Sequence, residues 1–316
     1  MKKAVQYVGL ALAVLATACV TPIHTAAQRR GIEGSFDRTL NVSGTVDLDV
    51  STGSGGISIR KGSAGRVEVH GRIRVGTDWF RSDRNAEDVV RDLESNPPIE
   101  QTGSTIRIGR FQGRDTTRNV SISYEIVIPA QASVRSNTGS GSQTVIGIEG
   151  PVVASTGSGG ITLTDIRGRA RATTGSGAIH AEGIAGPFEG STGSGGVNFT
   201  QTATGDVEIG TGSGTVRASG VRGALRIHTG SGGITAQGEQ TGRWDLQTSS
   251  GSISIRLPRD AGFDLNAHTS SGGVYLDHPL TVQGKIDRRR RDVSGRVRGG
   301  GHALDVRTSS GSIRIE

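Results

Sequence analysis

An all-β fold, a single-domain parallel β-helix or β-solenoid with about 18 residues per coil, follows from a recurring turn, its even spacing and the pattern between copies. A Thr opens a Thr-Gly-Ser-Gly or Thr-Ser-Ser-Gly turn at Thr52, Thr138, Thr156, Thr174, Thr192, Thr211, Thr229, Thr248, Thr269 and Thr308. From Thr138 to Thr269 the steps are 18, 18, 18, 19, 18, 19 and 21 residues. Such a period, with one turn type at one place in each unit, is the signature of coils stacked on themselves. Between turns, apolar residues fall at i and i+2 in two short runs, as in Ile161 and Leu163, then Ala170 and Ala172. That is strand patterning, one side in and one side out.

A hairpin array would favour two-residue Asn-Gly or Asp-Gly connections, which these turns lack. Recurrence of the same Thr, Gly, Ser and Gly suits parallel coils instead, with Thr and Ser expected to ladder onto their copies one coil away. Glycine suits the positive φ of a sharp corner. A left-handed hexapeptide helix needs an apolar residue every sixth position, but counting from Ile161 lands on Arg167 and Thr173. A right-handed coil is therefore expected. Disorder is disfavoured, because 51 Gly and 8 Pro in 316 residues stay below the level that signals it, and the alternation never lapses.

Taken in chain order, residues 1–18 read as an export signal, with Lys2 and Lys3 before the apolar stretch Val8 to Leu15. Cys19 follows Ala16-Thr17-Ala18, a lipoprotein-like arrangement in which Cys19 receives lipid; Ala16 stands where Leu is usual. Cleavage after residue 27, behind Thr25-Ala26-Ala27, is the other reading, and it discards Cys19. Residues 19–36 form a linker, and residues 37–137 hold the first strands and an irregular strand-helix-strand cap. Strands are expected near Leu40 to Val50, Val67 to Val75, Thr105 to Ile108 and Val120 to Ile128. A helix is expected over Asn85 to Leu93, stopped by Asn96-Pro97-Pro98. Solenoid repeats occupy 138–316, interrupted at 277–301, where Arg288 to Arg291 cluster. Strands Ala303 to Arg307 and Ile313 to Ile315 close the chain, and the last strand is expected to be the structural end.

The segment VSISYEIVIPAQASV, the TGSGGI units after it and the ending GHALDVRTSSGSIRIE resemble the bacterial putative adhesin family, a repeat-rich group otherwise described as a domain of unknown function. The resemblance covers roughly Leu40 to Glu316. It implies a β-helical cell-envelope protein without established catalysis, and it supplies no catalytic residues to carry over.

Chemistry finds little support in the sequence. Asp165, Glu182, Asp206 and Glu208 fall at different places in their units and form no expected column. Phe188, Phe199, Trp244 and Phe263 fall on the inward pattern, leaving Tyr275 and Trp79 as surface aromatics. His228 and His268 are expected in one column with Gln247 between them, about 9.6 Å apart at two strand spacings, too far to share one metal ion. The turns lack the recurring Asp of calcium-binding repeats, and the turn serines lack a GxSxG frame. No catalytic, cofactor-binding or metal residue is expected. The formal charge of +7 falls to +5 without the signal lysines, yet acids and bases alternate. With three Tyr and two Trp, nucleic acid is a poor partner.

The expected function is non-enzymatic: an exported envelope or extracellular protein, an adhesin or surface scaffold, presenting outward residues such as Arg169 and Arg171. Its partners would be envelope polysaccharide or another surface protein, with the membrane reached only through a modified Cys19. One alternative is a secreted β-helix enzyme acting on polysaccharide, which paired carboxylates on adjacent coils would reveal. Another is an assembly module that self-associates through Ser312 to Glu316.

Overall fold

The structure is a computed structural model that describes residues 32–76, 83–109, 120–281 and 291–316. The export signal, Cys19, the cleavage site after residue 27, Trp79 and Arg288 to Arg290 lie outside the described residues. Apart from one helix, the described elements are strands, as the turn period and the i, i+2 alternation require.

The N-terminal elements are β1 (Ile32–Asn41), β2 (Val46–Ser54), β3 (Ile57–Gly62), β4 (Arg66–Val75), α1 (Asp83–Ser95), β5 (Ile99–Thr102), β6 (Thr105–Ile108) and β7 (Val120–Pro129). β2 and β3 flank the Thr52 turn and make a genuine coil. Its neighbours are β6 and β8 (Ala132–Ser140) on the side leading into the turn, and β7 and β9 (Gln143–Ile146) on the side leaving it. Antiparallel pairing then extends β7 through β4 to β1. Helix α1 covers β1, burying Ala86, Val90 and Leu93. The Ser35 amide of β1 donates to Glu94 Oε1 at 2.9 Å, so a side chain from the helix closes part of an edge that would otherwise invite pairing. Pro97 and Pro98 follow the helix and cannot supply its next amide donors.

The regular coils are β8–β9, β10–β11 (Val152–Ser158, Ile161–Thr164), β12–β13 (Ala170–Ser176, Ile179–Ile184), β14–β15 (Phe188–Ser194, Val197–Gln201) and β16 (Val207–Ser213) with the start of β17 (Val216–Ser231). The end of β17 begins the coil completed by the start of β18 (Ile234–Ser250), and the end of β18 leads to β19 (Ile253–Arg256). All pair in parallel, in register from turn Thr to turn Thr. Each coil has a short third side, where Ile148, Ile166, Ile184 and Val221 are buried.

The turn threonines do not ladder onto one another, as the sequence reading expected. From Thr138 onward they point inward, with Thr174 at 2% exposure, and each hydroxyl donates to a glycine carbonyl in the turn of the adjacent coil, whereas Thr52 donates to Ile122 O of β7. Thr156 reaches Gly141 O at 3.1 Å, Thr174 reaches Gly159 O at 2.9 Å, and Thr192 reaches Gly177 O at 2.9 Å. The geometry is a consequence of period two: Ala170, Ala172 and Thr174 all share the inward side. At Gly159, φ is 148° and an added Cβ would lie 2.2 Å from the Gly141 carbonyl oxygen, so glycine is required by both conformation and close approach.

The C-terminal elements are β20 (Phe263–Ser271), β21 (Val274–Leu276), β22 (Leu280–Thr281), β23 (Asp292–Val297), β24 (His302–Ser310) and β25 (Ile313–Ile315). Here the structure corrects the expected end. β24 lies between β18 and β20, and β25 lies between β19 and β21. The last residues therefore form the second coil from the end, and the outer coil is built from the earlier segment Phe263 to Leu276. Antiparallel β23 covers β20. With β25 paired on both sides, Ser312 to Glu316 offers no free strand edge for a second chain to extend. The same inversion occurs at the other end, where the coil of β2 and β3 sits inside the later pair β6 and β7.

Candidate functional site

The outward residue three places before each turn Thr forms one column along the sheet that leads into the turns. Asp49, Arg135, Val153, Arg171 and Glu189 follow one another in register, then Glu208, Arg226, Asp245, Asp305 and Asn266. Neighbours lie about 4.8 Å apart along the stack. Arg171 pairs with Glu189 at 3.0 Å. Near the far end Asp305, 8% exposed, accepts from Arg243 at 2.8 Å and from Asn266 at 3.1 Å. These bonds tie the intercalated strand β24 to the coils on both sides of it.

A groove of about 580 Å³ opens beside this column. Pro187 and Ala224 are small residues in its floor, and Arg169 and Arg243 stand at its two ends. Those arginines precede Ala170 and Trp244, which are separated by four strand steps through Phe188, Val207 and Leu225. The groove thus runs about 19 Å along the stack. Its wall carries Glu189, Glu208, Arg226 and Asp245. Asp206 is held by the Ala224 amide, which donates to Oδ1 at 3.0 Å. Arg169, Glu208 and Arg226 make no ion pair or side-chain hydrogen bond among the described residues.

Several expected residues fall as predicted. Phe188, Phe199, Trp244 and Phe263 are all buried, and Tyr275 is 47% exposed, with Arg314 5.8 Å from its ring centroid. Phe188 stacks on Phe199 with centroids 4.7 Å apart, in the coil where Gly190 leaves room for the ring. The histidine column is longer than expected. His228, Gln247, Arg307 and His268 follow in that order, because β24 intervenes, so the two histidines are three strand spacings apart. His268 instead meets Asp292 at 2.5 Å.

The four acids fall as expected, but a fifth adds a pair. Asp165, Glu182, Asp206 and Glu208 do not form a column, but Glu208 is the direct register partner of Glu189. Glu189 precedes Thr192 by three residues and Glu208 precedes Thr211 by three. Counting back from each turn Thr would have exposed the whole column, which the 19-residue step between these two coils obscures. Among the described residues, no group of three or more His, Cys, Asp or Glu is arranged to hold a metal ion. None of the described helices is long and apolar enough to cross a membrane.

Stacked parallel coils, a Thr-to-glycine turn ladder and a polar outer column define a β-solenoid of the Toastrack kind. The chain belongs to the Toastrack DUF4097 family, whose model matches residues 100–316. Comparison with curated proteins finds no match. Solved structures similar to the chain include a putative cell adhesion protein from Clostridium sporogenes, at 11% identity and TM-score 0.26, covering 89% of this chain and 99% of that one. A putative adhesin from Parabacteroides distasonis is similar at 8% identity and TM-score 0.33, over 90% and 97% of the two chains. A putative lipid binding protein from the same species is similar at 11% identity and TM-score 0.31, over 90% and 98%.

Proposed function

We propose that the protein is a non-enzymatic cell-envelope scaffold of adhesin type, exported by residues 1–18 and held at a membrane through lipid on Cys19. Its partner is an envelope polysaccharide or another surface protein. The observation that carries this reading is the in-register column of outward side chains from Asp49 to Asn266, charged or polar at every position but Val153, set on a stack whose interior is mainly apolar. Repeated weak contacts along such a column sum through effective concentration.

The test compares native host cells carrying wild type, Cys19→Ala, or a chain with Arg169→Ala and Arg171→Ala. Intact mass of the membrane fraction should show lipid on Cys19, lost with Cys19→Ala. Binding of cells to purified envelope material should fall with the arginine changes. A soluble mature chain beginning at Gln28 would overturn the anchor, and unchanged binding after both changes would overturn display.

A secreted enzyme acting on polysaccharide is the second reading, favoured by one observation: Glu189 and Glu208 are register partners beside a groove. Release of new reducing ends from envelope polysaccharide, abolished by Glu208→Gln, would support it over the scaffold.

A further inference from the structure

We propose that the groove between Arg169 and Arg243 is a binding site for an extended, neutral or sparsely charged glycan chain lying parallel to the stack. This inference rests on the scaffold reading above and names the ligand of its outer face.

Charge comes first. The groove presents three guanidiniums, from Arg169, Arg226 and Arg243, and four carboxylates, from Glu189, Asp206, Glu208 and Asp245. A densely anionic polymer would meet four carboxylates, and a densely cationic one three guanidiniums, so like-charge juxtaposition opposes both. A hydroxyl both donates and accepts, so a hydroxyl-rich chain satisfies carboxylates and guanidiniums alike. Some of these groups already have partners: Glu189 pairs with Arg171, Arg243 with Asp305, and Asp245 accepts from Gln247. Arg169, Glu208 and Arg226 are the groups left for a ligand.

Spacing is the second argument. Glu208 and Arg226 are register partners on adjacent strands, about 4.8 Å apart along the groove. A β-1,4-linked pyranose chain advances by about one such spacing per sugar, so successive sugars meet successive coils. An extended peptide advances about 3.3 Å per residue and falls out of step. The floor is the third. Pro187 and Ala224 stand on either side of Asp206, in the positions before Phe188, Val207 and Leu225, and each offers a small apolar surface against which the C–H face of one sugar ring can lie while the charged groups take its hydroxyls.

The test is calorimetric titration of the full-length mature chain with glucose and N-acetylglucosamine oligomers of two to six sugars. A Glu-rich peptide serves as the competing probe. Affinity should rise with length to about four sugars, the span of the groove. Arg226→Gln and Glu208→Gln, both at exposed positions, should each weaken it about tenfold, the effect of losing one charge-assisted hydrogen bond. Arg217→Ala, in the sheet leaving the turns, should leave it unchanged. Absence of binding across the series, tighter binding of the peptide, or equal loss with Arg217→Ala would overturn the inference. Cell binding that survives Arg226→Gln while soluble oligomers fail to bind would sink the groove and leave the scaffold reading standing.

Discussion

Ser136 donates its hydroxyl to the side-chain carbonyl of Gln143 across the interior of one coil, at 2.5 Å. Both positions are apolar in neighbouring coils, where Val50 and Ala154 align with Ser136, and Ile57 and Ile161 with Gln143. Gln143 also donates to the Ser155 carbonyl in the next coil. Removing one partner leaves a buried polar group unsatisfied, at a cost of about 1–3 kcal/mol. Ser136→Ala and Gln143→Ile should each lower stability, and the double change should recover much of the loss. Denaturant melts of the four chains form the cycle; additive losses would show that the two side chains do not act as a pair.

Thr174→Val keeps the inward shape but removes the donor to Gly159 O. The expected loss is about 1–2 kcal/mol, seen as a lower midpoint in thermal unfolding. Thr174→Ser should lose less, because it keeps the hydroxyl. A larger loss in Thr174→Ser than in Thr174→Val would mean that packing of the methyl, and not the hydrogen bond, is what the position supplies.

Asp305 ties β24 to the coils on either side. Asp305→Ala should loosen the far end selectively, so hydrogen exchange should quicken in β20 and β24 while β12 and β14 stay protected. Nearest-neighbour coupling in stacked coils predicts this locality. Uniform acceleration along the chain would contradict it.

Tyr124 lies in the core with its hydroxyl unpartnered among the described residues. Burial pushes the phenol above its ordinary value of 10.0. The folded chain therefore holds that proton more tightly than the unfolded one. Its contribution is full below pH 10 and is lost as pH rises from there toward the folded value, by up to about 1.4 kcal/mol per pH unit. Tyr124→Phe should be neutral or stabilising at pH 7 and should flatten the alkaline decline. A steeper decline in Tyr124→Phe would contradict this assignment.

Much of the coil was legible because its cause is local. Alternation such as Ile161 and Leu163 sets inside from outside within one strand, and the Thr-to-Thr step sets the coil length. The helix is also local, read from Val89, Val90 and Leu93 and stopped by two prolines, although it runs to Ser95. Coil order at the ends was not legible, since nothing near Ile313 says that its neighbours are Ile253 and Val274. Those pairings depend on segments 39 to 60 residues away, which compete for similar strand edges. The groove was missed for a different reason: Glu189 and Glu208 look unrelated until both are measured from their own turn threonine.

The inside position of β24 and β25 makes chain length itself a condition of completing the stack. A growing polypeptide can lay down each regular coil on the one before it, but Phe263 to Leu276 lacks its native parallel partners until residues 302–315 have been synthesised. A stop before His302 would therefore take away one layer and, with it, the native parallel partners of the strands on both of its sides, including those that carry Trp244 and Leu246.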